Sequence, residues 1–162
     1  MKVDRINEFA FKIGTVNGTG SASANGLIMQ AIFRMGVPVS GKNVFPSNIQ
    51  GLPTWYEIRV NSEGHVARTP DFDLIVAMNP ETYERDIEEL VPGGWLLYDL
   101  SWPMATDLQR EDVTFLGIPL AEMCLEHFEG SRTRILMKNI TYTGALAALL
   151  QIDMEMIREL LE

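Results

Sequence analysis

Apolar and polar positions divide the chain into a series of short elements. The segment "EFAFKIG" (8–14) alternates and then meets Gly14, which predicts a first strand. A Gly/Ser/Thr loop, "TVNGTGSAS" (15–23), follows. From Ala24 the apolar residues fall at 24, 27, 28, 31, 32 and 35, a helical period. Gly36 and Pro38 end that helix by C-cap and breaker chemistry. A long polar loop then leads to "TWYEIRV" (54–60), read as a strand that turns through "NSEG" (61–64) into "HVARTP" (65–70).

The second half is more apolar in its strands. "DLIVAMN" (73–79) runs without alternation, as a strand covered on both faces does. Pro80 opens a charged helix over 80–90, with acids early in the first turn as the helix dipole prefers. Strands are expected at 93–100 and 113–120. Helices are expected at 121–128, over 132–150 and at 153–161, the last capped by Asp153. Strands alternating with helices predict an α/β fold: a mainly parallel sheet with helices on both faces and one antiparallel hairpin at about 54–69. No repeat, low-complexity segment or long linker divides residues 1–162, so a single domain is expected.

Charge changes this picture in one respect. The net charge of −9 argues against nucleic acid as a partner. Residues 1–70 hold seven Lys/Arg and four Asp/Glu, whereas residues 71–162 hold six and eighteen. From Phe9 to Tyr56 there is no acidic residue, while Lys12, Arg34 and Lys42 lie inside that window. Such a stretch suits a nearby anionic ligand. It equally suits a Gly/Ser loop and a buried helix that use few charges. No apolar run reaches the ~20 residues that span a bilayer, and the first residues lack a signal-peptide pattern. Cys124 is the one cysteine, which leaves no internal disulfide and no cluster held by this chain alone. A cytoplasmic chain without membrane contact is expected.

Three stretches carry candidate chemistry. In "KIGTVNGTGSASANG" (12–26), a Gly-rich turn joins a strand to a helix, where backbone N–H groups can hold an anion. Gly18, Thr19, Gly20 and Ser21 are the candidate residues. Gly14 adds room, and Ser21 or Ser23 can cap the helix. The spacing departs from the dinucleotide fingerprint because Ser23 stands where a third glycine belongs. A tight strand-to-helix turn accounts for the same glycines. "GVPVSGKN" (36–43) approaches a phosphate loop, but Asn43 replaces the magnesium-binding hydroxyl, and the segment follows a helix instead of opening one. ATP or GTP hydrolysis is therefore not expected.

The third stretch is the loop around Lys42. Ser40, Asn43, Ser47, Asn48 and Gln50 supply donors and acceptors, Pro46 and Pro53 stiffen it, and Gly41 and Gly51 permit turns. It could present a Lys and amides to a carboxylate or phosphate. A well-bonded surface loop over the end of the sheet accounts for the same residues. Cys124 and His127 are too few for a zinc site and read as core packing. Asp71, Asp73 and Asp99 read as turn and cap residues.

"NGTGSASANGLIMQAIFRMGVPVSGKNVFPSNIQGLPTWYEIRV" (17–60) closely resembles the gamma domain of 2-oxoacid:ferredoxin oxidoreductases, nearest to the 2-oxoglutarate type. "DLIVAMNPETYERDIEELVPGGWLLYD" (73–99) and "ILMKNITYTGALAALLQID" (135–153) fit the same domain. The resemblance implies a part of an enzyme that converts a 2-oxoacid and coenzyme A to acyl-CoA and carbon dioxide, with electrons passing to ferredoxin. It implies that Ser40, Gly41, Lys42 and Asn43 face coenzyme A or the 2-oxoacid. It also implies that thiamine diphosphate, magnesium and an iron–sulfur cluster sit in partner alpha and beta parts. This chain shows neither the magnesium–thiamine stretch nor a cysteine set, so alone it is expected to be inactive. The alternatives are a non-catalytic assembly module of the same complex and a free-standing small-molecule or nucleotide-binding domain.

Overall fold

A computed structural model describes residues 6–45 and 49–162. Its strands are β1 (Glu8–Val16), β2 (Val39–Val44), β3 (Pro53–Asn61), β4 (Phe72–Ala77), β5 (Leu90–Asp99) and β6 (Thr114–Ile118). They form one sheet in the order β2-β3-β1-β4-β5-β6. The run β1-β4-β5-β6 is parallel, while β3 is antiparallel to both β1 and β2. The helices are α1 (Ser21–Arg34), α2 (Tyr83–Glu88), α3 (Leu120–His127), α4 (Ser131–Leu150) and α5 (Met154–Leu161).

The α/β class and the antiparallel departure are as the sequence pattern predicts, but the partners of the departure differ. Residues 65–70 form no strand. The register gives the reason: β1 occupies one edge of β3 from Glu8 opposite Asn61 to Val16 opposite Pro53, and β2 occupies the other. No edge of β3 is left for 65–70. The strand that fills the second edge comes from the supposed loop, since Val39–Val44 is extended. Pro46, Ser47 and Asn48 lie outside the described residues.

Side chains alternate across the sheet and produce two unequal layers. Phe11, Ile13, Ile58, Val76 and Leu97 meet Ala24, Leu27, Ile28, Ala31 and Ile32 of α1 and Tyr142, Leu146 and Ala147 of α4. On the other face Ala10, Ile75, Ala77 and Leu96 meet Tyr83 and Ile87 of the short α2. Helices thus lie on both faces, thickly on one and thinly on the other.

Helix boundaries follow local chemistry. α1 starts at Ser21, so Ser21 and Ser23 lie inside it and do not cap it; Gly20 is the N-cap, at φ 82°, with no side-chain cap. At the far end the Gly36 N–H donates to the Phe33 carbonyl at 2.9 Å, as a C-terminal glycine should. Asp153 caps α5 by accepting from the Glu155 N–H at 2.9 Å. The expected helix at 80–90 is shorter: a 3-10 turn over Pro80–Thr82 precedes α2, and β5 begins at Leu90.

Candidate anion site

Strand alternation divides the four residues around Lys42. Ser40 and Lys42 project to the thinly covered face and line a cleft there. Gly41 and Asn43 have the opposite parity. A Cβ built on Gly41 would lie 2.6 Å from both Met29 Sδ and Tyr56 Oη, on the α1 side. Gly41 therefore lets the edge strand lie close under α1, and only its backbone borders the cleft.

The cleft has a volume of about 220 Å³. Its floor is Ala10 of β1, Glu57 and Arg59 of β3, and Ser40 and Lys42 of β2, with residues 66–69 along one side. In register, Lys42 stands opposite Glu57 and Ser40 opposite Arg59. Arg68 Nε and Nη2 donate to both oxygens of Glu57, each at 2.5 Å. This paired geometry is the strong form of an arginine–carboxylate contact. Arg59 Nη1 donates to the Ala67 carbonyl at 2.7 Å. Lys42 is exposed and forms no ion pair among the described residues. The cleft thus gathers the cations Lys42, Arg59 and Arg68 around a single carboxylate that Arg68 already occupies. In sequence Lys42 is the sole cation of its stretch; in space it is one of a group.

Beside this cleft lies a charged cluster that the sequence pattern does not announce. Lys12 is 1 % exposed. Its Nζ lies 3.1 Å from Asp86 Oδ1 and also pairs with Glu89. It sits 5.3 Å from the centre of the Trp55 ring and 5.5 Å from that of Phe72. Asp86 also accepts from Trp55 Nε1 at 2.9 Å and from Thr82 Oγ1 at 2.7 Å. Burial pushes the Asp86 carboxyl above its ordinary range despite Lys12 and these donors. Burial pushes Glu89 the same way, but hydrogen bonds from Lys12 and Arg85 outweigh it and hold Glu89 low. The available signal was a lysine flanked by Phe11 and Ile13, together with Asp86 and Glu89 three apart and so on one side of the helical stretch expected at 80–90.

The acid-free window from Phe9 to Tyr56 is therefore not an acid-free surface. Asp86 of α2 and Glu89 at its C-terminal cap reach Lys12, and Glu159 of α5 lies 3.5 Å from Arg34.

The glycine turn is tightly built. Gly18 and Gly20 have φ of 88° and 82°. A Cβ on Gly18 would lie 2.5 Å from Gln50 Cγ, and one on Gly20 would lie 2.6 Å from Leu136 Cδ2. Thr19 Oγ1 donates to the Val16 carbonyl at 2.8 Å, and the Thr19 carbonyl accepts from Asn139 Nδ2 at 2.8 Å. Ser21 Oγ accepts from Thr15 Oγ1 at 2.8 Å. Asn17 exchanges backbone hydrogen bonds with Gly51 and Leu52 at 3.0 and 2.8 Å. The two candidate groups are not brought together. Val16 follows Lys12, in register with Lys42 through Glu57, by four residues of strand, roughly 13 Å.

Cys124 is buried, but His127 is exposed and is not part of the core. Among the described residues no group of three or more His, Cys, Asp or Glu side chains could hold a metal. Asp99 accepts from the Ser101 and Ala121 N–H groups at 3.2 Å each, as a turn and cap residue does. Asp73 does not: it lies inside β4 and accepts from the Ala10 N–H of the neighbouring β1 at 2.9 Å. Among the described residues no helix is long and apolar enough to cross a membrane.

Sheet, helices and cleft together define a single-sheet α/β domain with a cationic recess beside an edge strand. The chain belongs to the pyruvate ferredoxin/flavodoxin oxidoreductase family, whose model matches residues 10–162. Subunit alpha of 2-oxoacid:ferredoxin oxidoreductase 2 from Aeropyrum pernix is 29% identical over 87 residues, which are 54% of this chain and 14% of that protein. The structure of 2-oxoglutarate:ferredoxin oxidoreductase from Magnetococcus marinus, with 2-oxoglutarate, coenzyme A and succinyl-CoA bound, superposes with a TM-score of 0.83 at 28% identity. It covers 97% of this chain, which in turn spans 27% of that one. The gamma subunit of a keto/oxoacid ferredoxin oxidoreductase from Geobacter sulfurreducens shares the fold, with a TM-score of 0.72 at 17% identity, over 94% of this chain and 84% of its own.

Proposed function

We propose that this chain is the gamma-type domain or subunit of a 2-oxoacid:ferredoxin oxidoreductase, with 2-oxoglutarate the favoured 2-oxoacid. It assists oxidative decarboxylation to acyl-CoA by holding an anionic group of coenzyme A or of the 2-oxoacid. The observation that carries this reading is the cleft in which Lys42, Arg59 and Arg68 surround one carboxylate already paired. The Magnetococcus marinus enzyme, similar over nearly the whole chain, supports it by the ligands it contains. One cysteine cannot supply the thiolates of an iron–sulfur cluster. That cluster, thiamine diphosphate and magnesium are assigned to partner alpha and beta parts, and electrons leave to ferredoxin through them. A cytoplasmic enzyme fits this chemistry.

The chain's own contribution is binding and orientation. A fixed cation beside a remote anionic group lets binding energy far from the reacting carbon position the substrate. The test is Lys42→Ala in the assembled enzyme. The Michaelis constant for coenzyme A or for the 2-oxoacid should rise about tenfold, the loss expected of one charge-assisted contact. Unchanged constants for both would remove Lys42 from the site.

A second reading, an assembly module, draws on Phe45, Ile49 and Leu52, which are apolar and exposed, the last two beside the Gly-rich turn. Under it the Lys42 variant would lose assembly while any complex formed kept its activity.

A further inference from the structure

The two edges of the sheet differ. β2 carries the exposed Lys42, and a charge on an edge strand guards it against stray pairing. β6, at the far edge, reads T-F-L-G-I and has neither a charge nor a proline. It pairs with β5, and among the described residues no strand lies on its other side. The Leu100 N–H donates to the Ile118 carbonyl at 2.9 Å, so Ile118 turns its backbone groups toward β5. Alternation along the strand turns Leu116 and Thr114 the same way, and turns Phe115 and Gly117 outward. Each of these two residues thus presents an N–H and a C=O to the open edge. Gly117 is exposed. Leu100, itself 53 % exposed, lies over it: a Cβ built on Gly117 would be 2.9 Å from Leu100 Cδ1.

We propose that β6 is a self-association edge, which pairs antiparallel with β6 of a second copy of this chain about a two-fold axis at Leu116. The outward residues, Phe115 and Gly117, stand on either side of Leu116. The two-fold therefore places Phe115 of each copy opposite Gly117 of the other. Such a pair exchanges both of its N–H···O bonds, so every outward group of both residues gains a partner. The side chains fit in the same arrangement. The axis is normal to the sheet, so each face continues across the junction. Phe115 of one copy arrives beside the glycine of the other, on the face where Leu100 is exposed. An aromatic ring set across from an edge glycine covers it, and here it covers the leucine as well. On the opposite face Leu116 meets its own counterpart at the axis. This reciprocity selects a second copy over an unrelated strand, because one segment supplies both the large side chain and the gap that receives it. The edge is only five residues long, so the dimer is weak and reversible. The net charge of −9 on each copy opposes it, and salt that screens this repulsion strengthens it.

The test is a disulfide across the axis. Opposed residues of a non-hydrogen-bonded antiparallel pair lie about 4.5 Å apart at Cα, a span a disulfide can bridge. The full chain with Leu116→Cys, concentrated and mildly oxidised, should therefore run as a covalent dimer on a non-reducing gel. Thr114→Cys is the control. Thr114 is exposed, but it stands opposite Ile118 of the other copy. Its introduced thiols lie four residues of strand apart, roughly 13 Å, and should stay unlinked. Cys124 is buried and common to both variants. Hydrogen exchange on the unaltered chain gives a second measurement that needs no variant. The Phe115 and Gly117 amides should slow several-fold as the chain is concentrated, and slow further with added salt. The Leu116 and Ile118 amides, already turned toward β5, should not change. The proposal is overturned if Thr114→Cys links as readily as Leu116→Cys, if neither links, or if exchange at Phe115 and Gly117 ignores concentration. Slowing of those two amides only when partner subunits are added would assign the edge to another polypeptide and end the self-pairing.

Discussion

Lys12 is the residue with most at stake in its surroundings. Its ammonium is shut from water, so the fold tolerates it only while Asp86 and Glu89 remain beside it. Lys12→Met keeps most of the side-chain volume and leaves buried Asp86 without its cation and Glu89 with Arg85 alone. It should cost about 3–5 kcal/mol in urea unfolding at neutral pH, as breaking a buried pair does. The pH dependence has a definite sign. Glu89 is held low in the fold, so its contribution is present above the ordinary glutamate range and is lost as pH falls through its depressed value. Asp86 is raised by burial, so its protonated form is the one the fold favours, and that benefit grows as pH falls. In the unaltered chain the two oppose each other, but Lys12 lowers both carboxyls. Lys12→Met therefore leaves each easier to protonate, and the gap between the unaltered chain and the variant should narrow from neutral to acid pH. A gap that stayed constant over that range would refute the pairing.

Among the elements, β2 shows why parts of the fold were legible in the sequence and others were not. β4 declared itself by a run of apolar residues, and α1 by its period, because both are buried by several neighbours. β2 reads V-S-G-K-N-V and carries little strand propensity of its own. It is extended because β3 supplies a ladder along its length and Gly41 lets α1 close over it. The residues 65–70 look equally strand-like and are not a strand, since β3 has no free edge for them. The same limit governs the site. Lys42 could be picked out from its polar neighbours, but Arg59 and Arg68 become its companions only through sheet register and the path of residues 66–69. Gly41→Val makes the dependence of β2 measurable. The new side chain meets Met29 and Tyr56, so overpacking should cost about 1–3 kcal/mol. Hydrogen exchange should then lose protection along β2 while β1, flanked on both sides, keeps it. Uniform loss across both strands would contradict this account.

For the molecule as a whole, the two faces of the sheet divide the labour. One face is closed by α1, α3, α4 and α5 and supplies the main core. The other is covered only in part by α2, and its uncovered part, over β2 and β3, holds the cleft. The chain spans about a quarter of the Magnetococcus marinus protein it superposes on. The strap that residues 66–69 make along the cleft has one more consequence. A cover fastened by charges and hydrogen bonds answers to ionic strength in a way that a greasy lid does not. Salt competes for Arg59 and Arg68 directly, and these are the groups that hold the strap. Crystals grown from concentrated sulfate should therefore show residues 66–69 displaced from Glu57, whereas crystals grown from polyethylene glycol at low salt should keep the clasp closed.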